Sequence, residues 1–287
     1  MTAWQHQFIQ ANAIRLHYVT QGEGDLVVLL HGFPEFWYSW RYQIPALARQ
    51  FKVVVPDLRG YNQSDKPDSG YDLNTLATDI YSLIQNLGYQ QAHIVGHDFG
   101  GAIAWRIAQQ FPQVLDRLAI LSAPHPGRFL NHLTQDLDQL RRSWYLFAFQ
   151  VPGIPEWLIQ QNLGEFVPRV FRDLAVRKGV FTSENTALYE AALRQPGAIR
   201  SALNYYRQLL SPLAWLREGK TDRNLITAPT LVLWGDEDAV LSRRIAEDLR
   251  HAVTASFELK FLANCGHWIQ QEAPQTVNRE LLAFLMP

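Results

Sequence analysis

Six short runs made mostly of Val, Ile and Leu constrain this chain more than anything else in it. They are "LVVLLHG" from Leu26, "FKVVVPD" from Phe51, "AHIVGHD" from Ala92, "LAILSAP" from Leu118, "TLVLWGD" from Thr230 and "FELKFLA" from Phe257. A strand with one wet face alternates apolar and polar residues. Near-continuous apolar runs instead predict strands buried on both faces, the habit of a parallel sheet. Parallel neighbours need a crossover between them, usually a helix. Segments with helical spacing supply it at Asn74 to Leu87, Gly101 to Gln110 and Ser242 to His251, the last with Ser242 as N-cap. The expected fold is α/β, with a doubly wound, mostly parallel sheet entered through a β-hairpin near Phe8 and Ile14 to Val19.

The alternation stops between about Arg128 and Leu216. That stretch is rich in Leu, Arg, Gln and aromatics at helical spacing and has no convincing strand, so it reads as a helical cap inserted over one end of the sheet. "APHPGR" from Ala123 marks its entry, and "REGKTDRNLITAP" from Arg217 is a polar return to the sheet. The expected division is a first core segment 1–127, a cap 128–216 and a second core segment 217–287. A chain of 287 residues, 47% hydrophobic, has the material for one large core with such an insertion.

Charge excludes several function classes. The 26 basic and 27 acidic residues form no block of either sign, which argues against a nucleic-acid partner. The single cysteine, Cys265, cannot form an internal disulfide and fits a reducing, cytoplasmic setting. The first residues show no leader signal, and no stretch approaches the roughly 20 apolar residues of a membrane span. No repeat appears, and oligomeric state is left open.

The chemistry concentrates in "HIVGHDFGGAIAW" from His93. An Asp directly before a helix is ordinarily a cap. Here Gly96-His97-Asp98-Phe99-Gly100 has the small-x-nucleophile-x-small form of a tight strand-to-helix turn that presents a nucleophile. The site lies beyond the carboxyl end of a strand, where open parallel sheets bind ligands, and the helix N-terminus favours an ionised carboxylate. "LWGDEDAV" places acids after a later strand and "NCGHWIQ" places His267 after the last one. Nucleophile, acid, histidine is the chain order of a hydrolase triad.

On these residues the chain resembles an α/β-hydrolase of the epoxide hydrolase and dehalogenase group, over nearly its whole length. The resemblance makes Asp98 the nucleophile and His267 the base. The acid is Asp238, the last residue of a Gly-x-x-Asp, with Asp236 as the second choice. It also identifies "HGFPEFWYSW" from His31 as the oxyanion loop, with the backbone N–H groups of Phe33 and Phe99 as donors and a cis bond before Pro34. His31 is read as structural, as is "DLRGYNQSDKP" from Asp57, where Asn62 replaces a usual Gly and tolerates left-handed backbone. Cys265 is read as structural too.

A carboxylate attacks saturated carbon to give an alkyl ester, which water activated by a base then hydrolyses. The leaving group decides between epoxide and halide. Haloalkane dehalogenases carry Trp, and fluoroacetate dehalogenases Arg, directly after the nucleophile, with a second Arg three residues on. Here those positions are Phe99 and Ala102. "WYLFAFQVPGIPE" from Trp144 resembles an epoxide hydrolase cap helix and selects Tyr145, while "LNYYRQ" from Leu203 selects Tyr206 over Tyr205. Two phenols there would hydrogen-bond an epoxide oxygen and protonate the emerging alkoxide. Phe36, Trp37, Trp144, Phe149 and Trp268 are the expected pocket walls, suited to a hydrophobic epoxide. The reading is a hydrolase needing no cofactor or metal. A dehalogenase using the same Asp is the first alternative, and a non-catalytic binding protein on the same scaffold the second.

Overall fold

The computed structural model describes residues 4–221 and 225–286. Eight strands form one sheet: β1 (Gln5–Ala11), β2 (Ile14–Gln21), β3 (Leu26–Leu30), β4 (Lys52–Pro56), β5 (Ala92–His97), β6 (Leu115–Leu121), β7 (Thr230–Gly235) and β8 (Phe257–Leu262). Their spatial order is β1-β2-β4-β3-β5-β6-β7-β8. The expected hairpin β1–β2 is antiparallel, β2 pairs antiparallel with β4, and every later pairing is parallel. The hairpin turns on Asn12 and Ala13, at φ 48° and 62°.

The apolar runs do what their composition dictates. β3, β5 and β7 are buried at every residue, and burying each Val, Leu or Ile side chain contributes about 1.5–3 kcal/mol. β8 departs from the expectation of two covered faces. It is the edge strand, and its burial alternates, with Glu258 and Lys260 exposed. Lys260 pairs with Glu258 and Glu280 at 2.9 Å each, placing charge along an edge otherwise open to pairing.

Fourteen α-helices are assigned among the described residues: α1 (Ile44–Leu47), α2 (Leu73–Asn86), α3 (Phe99–Gln110), α4 (Pro126–Gln135), α5 (Leu137–Arg142), α6 (Trp144–Ala148), α7 (Ile154–Gln161), α8 (Leu163–Leu174), α9 (Ser183–Leu193), α10 (Ala198–Leu209), α11 (Pro212–Thr221), α12 (Arg243–Asp248), α13 (Ile269–Glu272) and α14 (Pro274–Leu285). α2 starts where Asp72 accepts the Thr75 N–H at 3.3 Å, and it buries Leu76, Ala77, Ile80, Leu83 and Ile84, one face of a helix. α3 packs on β3, β5 and β6. Ser242 holds the cap position of α12, but its side chain makes no capping bond.

Between β6 and β7 every helix or strand assigned is a helix, α4 through α11. The boundaries drawn from sequence, 127/128 and 216/217, fall inside α4 and α11, because composition changes before or after the backbone does. Part of the polar return, residues 222–224, lies outside the described residues. β3 has β4 on one side and β5 on the other, so the strand order reverses there. The crevice beyond the ends of β3 and β5 is where such sheets bind ligands.

Candidate active site

Asp98 leaves β5 and precedes the first residue of α3. Its backbone sits at φ 50°, ψ −122°, a conformation L residues rarely adopt and one that tight functional turns hold in place. The turn closes only with glycines. A Cβ on Gly96 would lie 2.4 Å from the Gly100 carbonyl oxygen, and one on Gly100 2.2 Å from that of Leu30.

Asp98 occupies the cap position of α3 without acting as a cap. Its side chain makes no capping bond, and Oδ1 instead accepts the N–H of Phe33 at 3.0 Å. Phe33 stands just beyond β3, on the other lip of the crevice, and the bond that follows it to Pro34 is cis. Phe99 is the first residue of α3, where an N–H has no acceptor within its own helix. Both expected oxyanion donors therefore belong to segments that converge on Asp98.

His267 faces two carboxylates. Its Nδ1 lies 2.9 Å from Asp238 Oδ2 and its Nε2 3.5 Å from Asp98 Oδ2. Asp238 Oδ1 accepts the N–H groups of Val240 and Leu241 at 2.8 and 3.0 Å, which turns Oδ2 toward the imidazole. Asp236, the second choice, is half-exposed and pairs with Arg243 at 2.7 Å. Burial disfavours an imidazolium at His267, but Asp238 and then Asp98 outweigh it and push its pKa up to about 10. Burial raises the Asp98 carboxyl. The hydrogen bond and charge of His267, the charge of His97 and the Phe33 N–H outweigh it and hold that carboxyl below its ordinary value. The 19% of the Asp98 side chain that is exposed faces the cavity, so its surroundings are those of the interior. At neutral pH the site therefore holds a carboxylate, an imidazolium and a second carboxylate in line.

Above Asp98 lies a cavity of about 790 Å³, walled mainly by apolar side chains of α6, α7 and α8. Asp98, Phe33, His267, Tyr145 and Tyr206 all line it. The two phenol rings stand edge to face, 5.8 Å apart, and neither hydroxyl has a hydrogen-bond partner among the described residues. Burial, then Asp98, raises the Tyr145 hydroxyl, and burial, Tyr145 and Asp98 raise Tyr206, so both keep their protons. Tyr205, one residue earlier, points elsewhere: its buried hydroxyl donates to the Arg59 carbonyl at 2.7 Å.

The sequence description of the α/β hydrolase fold family matches residues 25–274. The chain is 38% identical to "Epoxide hydrolase 4" of Homo sapiens over 285 residues, covering 96% of this chain and 77% of that protein. It is also 38% identical to "AB hydrolase superfamily protein YfhM" of Bacillus subtilis, covering 97% of each. A solved epoxide hydrolase of Bacillus megaterium, bound to an inhibitor, superposes with a TM-score of 0.87 at 30% identity, covering 97% of this chain and 99% of the other. The chain belongs to the epoxide hydrolase family of α/β-hydrolase folds.

Within that family frame, the expected pocket residues divide. Phe149 and Trp268 line the cavity, Phe149 packed 5.1 Å from Tyr206 and Trp268 5.0 Å from His267. Trp144 lines it from the rim, 68% exposed. Phe36 and Trp37 are corrected: they do not line the cavity. Trp37 packs against Trp4 and His6, and Phe36 against Tyr189, because the short turn after Pro34 carries both rings away from Asp98. Cys265 is fully buried, and burial pushes its thiol up to about 11, which removes it as a nucleophile. His31 is structural, as expected: its Nδ1 donates to the Gly32 carbonyl at 2.9 Å and its Nε2 accepts the Leu58 N–H at 3.0 Å. Asn62 is left-handed, at φ 39°.

Sequence reasoning missed Glu35 and His97. Glu35, 1% exposed, accepts four N–H bonds: from Gly32 at 3.0 Å, His97 Nδ1 at 2.8 Å, and the amides of Gln270 and Gln271 at 2.9 Å each. The other ring nitrogen of His97 lies 3.0 Å from the carbonyl oxygen of His267. Both ring nitrogens of His97 are engaged, one by Glu35 and the other by the His267 carbonyl. Glu35 and His97 thus tie the Phe33 loop, the strand before Asp98 and the segment of His267 together. The signal available was "HGFPE" itself, a charged residue inside an apolar loop.

Proposed function

We propose that this member of the family hydrolyses hydrophobic epoxides to vicinal diols through an ester on Asp98, with the helical insertion acting as a cap. Asp98 attacks a ring carbon while Tyr145 and Tyr206 hydrogen-bond the epoxide oxygen. One phenol gives its proton to the opening alkoxide, leaving a hydroxyalkyl ester and a phenolate. The ester no longer carries one of the two charges that held the His267 proton, so the imidazolium passes that proton to the phenolate. Neutral His267, oriented by Asp238, then takes a proton from water attacking the Asp98 carbonyl carbon. The oxyanion sits on the Phe33 and Phe99 amides, and collapse releases the diol and restores carboxylate, imidazolium and phenols. Atoms and protons balance to epoxide plus water.

The observation that carries this reading is Asp98 itself: one oxygen on the oxyanion-loop amide, the other toward His267, the whole group open to the apolar cavity. Dehalogenation finds less support, since the Phe99 side chain has no N–H to offer a leaving halide and Trp144 is solvated. The test is a single turnover in heavy-oxygen water with an apolar terminal epoxide, alongside Asp98→Ala. The label is expected in Asp98 and absent from the first diol. Solvent oxygen in the first-turnover diol refutes the ester route, and unchanged epoxide after long incubation refutes catalysis altogether.

A further inference from the structure

The helical insertion reaches past the cavity to the backbone around Asp238. Gln139, on α5, is fully buried, and both ends of its amide are used. Oε1 accepts the Ser242 N–H at 2.9 Å, while Nε2 donates to the Val240 carbonyl at 3.0 Å and to Ser143 Oγ at 2.8 Å. About one turn on, Arg142 Nη1 donates to the carbonyl of Asp238 itself at 2.8 Å, its Nε anchored on Asp138 at 2.8 Å. The loop from Asp238 to Ser242 therefore hangs on one six-residue helix of the insertion. Because Asp238 Oδ1 is bonded to the N–H groups of this same loop, any tilt of the loop tilts Oδ2 relative to His267.

We infer that Gln139, assisted by Arg142, is a positioning residue for ester hydrolysis, holding Asp238 square to His267 so that docking of the insertion and readiness of the base are one event. The inference rests on the proposed function. It also separates from a merely structural role, because the two chemical steps use different groups. Alkylation needs Asp98 and the phenols. Hydrolysis needs His267 in the right tautomer and direction, which Asp238 sets. Loosening the Asp238 loop should slow the second step and spare the first, and misplacements of an ångström or less cost up to about 100-fold.

Rapid-quench mass measurement on the full chain with 1,2-epoxyoctane resolves the two steps. In Gln139→Leu the ester should form within about 2-fold of the parent rate and decay about 10- to 100-fold more slowly. The ester then accumulates, and kcat and KM fall together. Arg142→Met, at a partly exposed position, carries the same expectation should Gln139→Leu fail to fold. His267→Gln is the trap that shows the ester can be seen. If that trap holds the ester but folded Gln139→Leu and Arg142→Met hydrolyse it at the parent rate, or lose both steps equally, the inference is overturned alone. If the trap never gains the mass of the epoxide, the covalent reading falls and the inference with it.

Discussion

Replacing Glu35 with glutamine tests the charge that organises the site from behind. The carboxylate receives two N–H donors on each oxygen, Gly32 and His97 on one and Gln270 and Gln271 on the other. An amide fits the same space, but whichever way it turns its NH2 faces two donors, and His97 Nδ1 loses its buried carboxyl partner. Breaking a buried pair by removing one partner costs about 3–5 kcal/mol. For 287 residues the unfolding entropy is about 0.6 kcal/mol per kelvin, so the expected fall in Tm is about 5–8 °C. Differential scanning calorimetry at pH 7 measures it. A cycle with His97→Gln sharpens the result, since the double variant should lose at least about 2 kcal/mol less than the sum of the singles. A Tm within about 1 °C of the parent, or strict additivity, would falsify the energetic coupling of Glu35 to His97.

Further outcomes follow from the structure. Tyr145→Phe and Tyr206→Phe should each lower kcat by about 100-fold or more for an apolar epoxide. Tyr205→Phe should leave kcat near the parent value while losing about 1–3 kcal/mol of stability through the unpaired Arg59 carbonyl, read by urea unfolding. The His267 ring, followed by NMR, should titrate near pH 10 in the parent and about 1–3 pH units lower in Asp98→Asn, where one of its two anions is gone. The sign for stability is fixed by that raised value. The imidazolium's contribution is complete below its unfolded pKa of about 6.5 and is lost as pH rises toward 10, so the stability gap between the parent and His267→Gln should narrow over that interval. Ala13→Gly, at φ 62° in the hairpin turn, should raise stability by about 0.5–1 kcal/mol, and an unchanged midpoint in urea would mean the turn holds no strain.

The sheet was legible because its signal is local. Runs such as "LVVLL" and "TLVLWG" announce burial on both faces within five or six residues, and "GHDFG" carries its own sterics. β8 misled for the same reason: "FELKFLA" is apolar enough to resemble the others, and only its place at the sheet edge exposes Glu258 and Lys260. Phe36 and Trp37 are a second case. Closeness in sequence to Phe33 suggested closeness to the cavity, whereas a single turn after Pro34 sends Trp37 to Trp4 and His6 and Phe36 to Tyr189. The choice of Tyr206 over Tyr205 came from resemblance alone. The helix explains the difference the two show, since adjacent residues on a helix point about 100° apart, one into the cavity and one into the core.

What stayed hidden is the set of polar contacts that span the chain. Glu35 meets His97 across 62 positions and Gln270 across 235, and Gln139 meets Val240 across 101. No spacing rule links such residues, because only the closed fold sets their distances. Yet each of these side chains is buried, and a buried polar group without partners costs enough that a folded chain cannot carry many. That cost turns composition into a constraint. Charged or amide side chains inside apolar stretches, such as Glu35 within "HGFPEFWYSW", must find partners elsewhere. Here they find them on the segments that carry Asp98, His267 and Asp238. The reason is geometric: those segments meet at the His267 imidazole, and their turns leave backbone N–H and C=O groups in need of a bond.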